Sequence, residues 1–189
     1  MDRLKQKIRE EAVIISEQVI SLDLVLNHLI DPELIMDIGR ELADRFAQSG
    51  VTKVVTVESS GIAVGFATAF HLKVPMVFAR KKKTREMNED YLIERVPSFT
   101  KGIVTDLVLS KHVVHENDKI LIIDDILANG VALKALQRMI EQTGAQIAGL
   151  GVVIEKTFQN GSIEFRKIDM HVESVVRIRS LANQSIEMD

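Results

Sequence analysis

The stretch that decides the fold is Lys119–Gly130, K-I-L-I-I-D-D-I-L-A-N-G. Ile120 to Ile123 form an apolar, mostly β-branched run of the kind a strand buried on both faces requires. Two carboxylates, Asp124 and Asp125, stand where that strand is expected to end. A short loop, Ala128-Asn129-Gly130, follows, and from Val131 the apolar spacing becomes helical. Adjacent acids at the mouth of a buried strand carry costs of desolvation and mutual repulsion. Two readings fit them: a solvated turn whose acids cap the next helix, or a carboxylate pair whose cost is offset by a ligand bearing hydroxyls or a metal. A loop that opens into a helix leaves backbone N–H groups and the positive helix end aimed at one place, which makes an anion site. Strand, acids, loop and helix together suit a sugar phosphate.

Outward from this segment the chain alternates strands and helices. A helix is predicted over residues 2–20, with Leu4, Ile8, Val13 and Ile14 or Ile15 on its apolar face. A second starts at Asp31-Pro32, an N-cap followed by proline in the first turn, and Gly50 closes it. Thr52–Val57 reads as a strand, Ile62–Leu72 as a helix and Met76–Ala79 as a strand. Residues 80–101 are polar and without clear period. Ile103–Leu109 alternates and reads as an exposed strand. Beyond the deciding segment come a helix at 131–143 stopped by Gly144, a strand at 147–154 and a last strand near Val172–Ile178. This order implies a central, mostly parallel sheet with crossover helices, an α/β fold, and ligands in such sheets sit at the C-terminal strand ends.

Bulk properties narrow the field. With 189 residues, 46% hydrophobic and 27% charged, the chain fits a single soluble domain. A net charge of −3 gives no general attraction to nucleic acid or anionic membrane. No cysteine is present, which excludes a disulfide scaffold and thiolate metal sites and is compatible with a reducing cytoplasm. No apolar run approaches the ~20 residues that cross a bilayer, and the charged N-terminus does not look like a signal peptide.

Three further clusters carry chemistry. Glu58-Ser59-Ser60-Gly61 lies between a strand and a helix; it is either a helix cap or a loop whose serines and amides donate to oxygen. It lacks the G-K-[ST] ending of a nucleoside-triphosphate loop. The basic run Arg80-Lys81-Lys82-Lys83, continued by Arg85, is either a solvated surface or an anion grip. Lys156 closes the run Val152–Glu155, either as a strand-end surface lysine or as a ligand donor. His112 and His115 could share a helix face but offer too few ligands for a metal.

These residues resemble the type I phosphoribosyltransferases, and the xanthine-using branch in particular. The resemblance runs from Met1 into the 170s and is specific at Leu22–Asn27, V-E-S-S-G at Val57–Gly61, Lys119–Ala132 and G-V-V-I-E-K at Gly151–Lys156. It implies transfer of the 5-phosphoribosyl group from phosphoribosyl pyrophosphate (PRPP) to N9 of xanthine, giving XMP and pyrophosphate; hypoxanthine or guanine is the neighbouring substrate choice, and a nucleic-acid-binding regulator the distant one. Asp124 and Asp125 would hold the ribose hydroxyls. Ala128, Asn129, Gly130, Val131 and Ala132 would cradle the 5-phosphate. Glu58, Ser59, Ser60 and Gly61, with Arg80 and Lys81, would meet pyrophosphate, Lys81 in a partner subunit's site. Ile20, Asn27 and Lys156 would contact xanthine; by position alone, Phe158, two residues beyond Lys156, could stack on the base. Asn129 stands where the family commonly has Thr, and Ile20 where it has Leu. The resemblance further implies one domain over 1–189, a flexible hood at about 80–110, a small base-binding cap from both chain ends, Mg2+ carried by the diphosphate, a homodimer, and a cytoplasmic salvage enzyme with neither membrane nor nucleic-acid partner.

Overall fold

In a computed structural model, which describes residues 1–81, 90–98 and 103–189, the deciding segment is a long strand, β7, over Lys119–Leu127. It sits inside a six-stranded sheet ordered β10-β9-β8-β7-β3-β4. Here β3 is Lys53–Val57, β4 Met76–Ala79, β8 Gln146–Lys156, β9 Val172–Ser180 and β10 Glu187–Met188. All neighbours are parallel except β10, which runs antiparallel to β9. The expected architecture, a mostly parallel sheet flanked by helices, is what the chain adopts.

Two cores cover the two faces of the sheet. On one, α2 (Pro32–Arg45) and α3 (Gly61–Leu72) press Leu34, Ile38, Leu42, Val64 and Ala67 against Val54, Leu121 and Ile123. Asp31 caps α2, its Oδ1 accepting from the Leu34 N–H at 3.1 Å, and Pro32 occupies the first turn, as the sequence predicts. On the other face α4 (Val131–Gln142) buries Leu133, Leu136, Met139 and Ile140 with Val55, Ile120 and Ile122. Each such side chain withdrawn from water contributes roughly 1.5–3 kcal/mol before its entropy cost.

Four expectations change. The N-terminal helix, α1, ends at Glu11; Val13–Ser16 (β1) and Val19–Ser21 (β2) form a hairpin instead. Leu4 and Ile8 are buried, but Val13 and Ile15 are 59% and 64% exposed, so the β-branched run follows strand alternation rather than the helical face. Second, β7 continues through both acids to Leu127, so Asp124 and Asp125 stand within the strand. Third, Tyr91–Ser98 forms a strand, β5, which pairs antiparallel with β6 (Ile103–Ser110). Leu107, Val108 and Leu109 of β6 are buried, not exposed, because the hairpin packs on the α4 side of the sheet. Fourth, a short helix α5, Gly161–Arg166, interrupts what reads as featureless chain. Lys82, Lys83 and Arg85 of the basic run, and the middle of the expected hood, lie outside the described residues.

Candidate active site

Strand β3 leads through α3 to β4 on one side, and β7 leads through α4 to β8 on the other. The chain thus turns in opposite directions from two adjacent strands, the place where doubly wound sheets open a crevice. The segments that leave these strands, 58–61 and 128–130, flank that crevice. Neither α3 nor α4 receives a side-chain cap at its first residue, so their leading N–H groups remain available to an anion. The acids of β7 do not cap α4, which removes the first of their two readings.

A cavity of about 390 Å³ lies over this edge. Asp124, Ile126 and residues 128–133 form its floor, Lys81 one side, and Val96, Pro97, Thr105 and Leu107 of the β5–β6 hairpin its roof. All five residues of the expected phosphate loop line it. Gly130 makes the turn at φ +69°, a left-handed backbone that glycine adopts without a Cβ penalty. Asp124 and Ile126 share a face of β7 by strand alternation. Asp125 is 4% exposed and does not line the cavity. Burial pushes the Asp124 carboxyl well above its ordinary range, and the charge of Asp125 pushes it further; the Lys81 ammonium pulls the other way.

Of the expected pyrophosphate residues, Glu58, Arg80 and Lys81 meet one another, and of the set only Lys81 lines the cavity. The N–H of Lys81 donates to Glu58 Oε1 at 2.7 Å, and Arg80 Nε stands 3.8 Å from Glu58 Oε2. Arg80 is also zipped to β6 through two main-chain hydrogen bonds with Val108, of 2.8 and 2.7 Å. The Glu58 carboxylate therefore acts as an acceptor for the basic segment and is not itself an anion donor. Gly61 passes so close to Thr56 Oγ1 and Asp124 Oδ1 that a Cβ there would lie 2.1 and 2.7 Å from them. The start of α3 is thereby brought against the acid. Lys81, which the resemblance assigns to a partner's site, lines the cavity of its own chain.

On the other side of β7, Leu127 pairs with Glu155, which sets Lys156 beside the start of the phosphate loop. Lys156 is 7% exposed rather than a surface lysine, and burial lowers its pKa. Its Nζ donates to the Gln18 carbonyl at 2.7 Å and stands 5.8 Å from the Phe158 ring centroid. Gln18 belongs to the N-terminal hairpin, so the hairpin is tied over the end of β8. Ile20, on the same hairpin, is packed in the core at 8% exposure. Asn27 ends a π-turn, Asp23–Asn27, and is exposed; among the described residues no hydrogen bond joins its side chain to Lys156. His112 and His115 lie in an irregular segment, not on a helix.

Sequence reading misses three participants. Thr56 is fully buried and its hydroxyl has no partner among the described residues. Gln18 holds Lys156 by a main-chain carbonyl, which no side-chain pattern announces. Glu155 is buried within an apolar run, and a charge at such a position was the available signal.

Fold and site define a class: an α/β protein with an amide- and acid-lined cleft at the switch point of its sheet, under a strand hairpin. The phosphoribosyl transferase domain matches residues 27–184. Xanthine phosphoribosyltransferase of Bacillus licheniformis is 46% identical over 186 residues, covering 98% of this chain and 96% of the relative. That of Moorella thermoacetica is 48% identical over 187 residues, covering 99% and 95%. The chain belongs to the phosphoribosyltransferase family. Among solved structures, adenine phosphoribosyltransferase from Thermoanaerobacter pseudethanolicus superimposes with a TM-score of 0.76 over 93% of this chain and 98% of its own, at 22% identity, and so shares the fold.

Proposed function

We propose that the protein transfers the 5-phosphoribosyl group of PRPP to N9 of xanthine, releasing pyrophosphate and XMP, as a transferase of purine salvage. The observation that carries this is the convergence of Asp124 and the 128–132 loop on one cavity, with Lys156 beside it, in a chain whose curated relatives are xanthine phosphoribosyltransferases.

The roles follow from position. The amides of 128–132 and the start of α4 take the 5-phosphate. Asp124 accepts hydrogen bonds from the ribose hydroxyls and faces the anomeric carbon as it becomes cationic, with the buried Asp125 beside it adding negative charge. The bond from that carbon to pyrophosphate breaks as the bond to N9 forms, with inversion. Fixed negative charge nearby favours the cationic state over the neutral sugar. Ser59, Ser60 and Gly61, with Arg80 and Lys81 held by Glu58, receive the leaving pyrophosphate. Lys156, aided by Ile20 and Asn27, receives the base, and Phe158 stacks on it. An ammonium donor satisfies a carbonyl at the 6-position but leaves the amino group of adenine facing another donor, which favours oxopurines.

Mg2+ fits as a companion of the diphosphate: among the described residues no cluster of three carboxylate or imidazole ligands exists to cage it, while Asp124 offers one hard oxygen at the cavity wall. The ion supplies charge neutralisation of the diphosphate. We read the chain as one domain, with a hood at about 80–110 and a base cap from both ends. The meeting of Ala12–Ile14 with Gln184–Ile186 around one surface cleft supports that cap. A homodimer is supported by exposed apolar surface: Phe66 and Phe70, a turn apart on α3 and 60% and 61% exposed, and Phe78 on the edge strand. Among the described residues no helix is long and apolar enough to cross a membrane; we place the enzyme in the cytoplasm.

The test is pyrophosphate release with PRPP, Mg2+ and each of xanthine, guanine, hypoxanthine and adenine. Xanthine is expected to give the highest kcat/KM. Equal values for guanine and xanthine overturn the specificity, and absence of turnover with every base overturns the transfer itself.

A further inference from the structure

Glu155 and Lys156 are neighbours on β8 but serve opposite directions. Lys156 faces the N-terminal hairpin. Glu155 is 1% exposed and meets two arginines, Arg166 and Arg177, and two serines, Ser162 of α5 and Ser174. Arg166 donates to it through both terminal nitrogens, at 2.9 Å to Oε1 and 3.2 Å to Oε2. Ser174 Oγ donates to Oε2 at 2.6 Å, and Arg177 Nε stands 3.3 Å from the same oxygen. Arg177 also donates to Ser174 Oγ at 3.1 Å. A buried carboxylate needs such pairing to remain ionised.

What distinguishes the two arginines is where they sit. Arg177 is on β9, already fixed in the sheet. Arg166 is the last residue of α5, a helix of 6 residues with no side-chain cap, too short to hold itself. The other end of α5 abuts the phosphate loop. The Gly161 N–H donates to the Ala128 carbonyl at 3.0 Å, and a Cβ on Gly161 would lie 2.2 Å from that oxygen. Phe165, also on α5, is the group a Cβ on Gly130 would meet first, at 3.0 Å. The loop thus rests on α5 at Ala128 and at Gly130, and α5 is clamped to Glu155 of the sheet by the two-pronged Arg166, with Ser162 as a lesser tie.

We infer that Glu155 is a positioning residue for the loop over residues 128–132, acting through Arg166 and α5 to hold the amides of that loop in the shape that receives a sugar 5-phosphate. This rests on the reading of 128–132 as the phosphate seat. The bidentate pair fixes orientation as well as distance, which a single contact would not. Anion binding by main-chain amides depends on their preorganisation, so slack in α5 appears as lost affinity for the phosphate and not for other parts of the substrate.

The experiment compares Arg166→Ala, Arg166→Lys, Glu155→Gln and Arg177→Ala by calorimetric titration with ribose 5-phosphate and, separately, with magnesium pyrophosphate, together with KM for PRPP and for xanthine. For Arg166→Ala and Glu155→Gln the ribose 5-phosphate Kd is expected to weaken by about tenfold, with pyrophosphate binding and the KM for xanthine changed less than about twofold. Arg166→Lys is expected to recover part of the loss. Arg177→Ala touches the same carboxylate but not α5; it is expected to lower the melting temperature without moving the ribose 5-phosphate Kd. Equal weakening by Arg177→Ala and Arg166→Ala, or unchanged binding in Arg166→Ala and Arg166→Lys, overturns the inference. If Arg166→Ala does not fold, Arg166→Lys and Glu155→Gln decide by the same readouts. Wild-type protein that binds neither ribose 5-phosphate nor PRPP overturns instead the assignment of the loop.

Discussion

On the phosphate side of the cleft, the ligand-facing groups are main-chain amides between a strand buried on both faces and a helix whose apolar stripe fills one of the two cores. On the proposed base side they would be side chains from places far apart in the chain: Lys156 at the end of β8, Ile20 on a two-stranded hairpin, Asn27 on a π-turn. Of the contacts that tie the hairpin to the end of β8 and the turn after it, the Lys156 ammonium on the Gln18 carbonyl is one, and Gln159 Nε2, 3.2 Å from that carbonyl, is another. The first construction fixes what every sugar phosphate requires. The second, as proposed, would leave the recognised base to a few exchangeable side chains.

The sharpest test of the phosphate side is at Asp124, on the cavity floor. Asp124→Asn is expected to lower kcat/KM by on the order of 10²–10³-fold, the cost typical of removing one electrostatic stabiliser of a transition state. It is also expected to raise the melting temperature at neutral pH. Burial and Asp125 hold the carboxyl above its ordinary 3.8, so the fold favours the protonated form and loses stability as pH climbs from 3.8 through the raised value. Asparagine removes that penalty. An active Asp124→Asn variant, or one destabilised at neutral pH, contradicts the role.

Glu155 has the opposite sign. Hydrogen bonds from Arg166, Ser162 and Ser174 outweigh its burial and bring the carboxyl from 4.5 down to about 2. Its contribution is complete above 4.5 and disappears as pH falls from there towards about 2, on the order of 3 kcal/mol in all. The difference in unfolding free energy between wild type and Glu155→Gln is expected to shrink across that window. A difference constant with pH would mean that the clamp does not depend on charge.

The phosphate side was the legible half for a physical reason. An apolar run, two acids and a glycine-ended loop are local signals, and the strand–helix order supplies the sheet edge without knowledge of distant contacts. The base side depends on pairing across long sequence separation. Val13-Ile14-Ile15 satisfies helical spacing and strand propensity alike, and only its pairing with Val19–Ser21 decides. The hairpin strand Tyr91–Ser98 carries Glu94, Arg95 and Pro97, which hide its period. Helix α5 has too few residues to show one. Asp124 and Asp125 were found as a pair, but which of them faces the cavity follows from the extension of β7 to Leu127, beyond where the apolar run stops.

A smaller effect sharpens the base side. Lys156→Met keeps the length and apolar body of the side chain and removes the donor. Hydrogen bonds to charged groups contribute about 1.5–3 kcal/mol, so kcat/KM for xanthine is expected to fall ~10- to 100-fold. Ribose 5-phosphate binding should be unchanged. Because burial lowers the Lys156 pKa, the wild-type KM for xanthine should begin to rise on the alkaline side at a lower pH than an ordinary lysine would dictate, before any change in the KM for PRPP. Loss of ribose 5-phosphate affinity in Lys156→Met would place this side chain in the wrong half of the cleft.

The smallest expected effect concerns the roof. Arg138 of α4 donates to Glu94 Oε2 of β5 through Nε at 3.2 Å and Nη2 at 2.8 Å. The Arg138 side chain is 51% exposed, so the pair contributes at most about 1 kcal/mol and is screened by salt. Yet it ties the roof to α4, the helix that begins at the phosphate loop, and not to the base-side hairpin. Arg138→Ala should therefore shift the melting temperature little, raise the KM for PRPP less than about threefold at low salt, and leave the KM for xanthine alone. At high salt the wild type should come to match the variant, because screening removes what the substitution removed. A change confined to xanthine would mean that the roof belongs to the base side, and the division of the cleft into a main-chain half and a side-chain half would have to be redrawn.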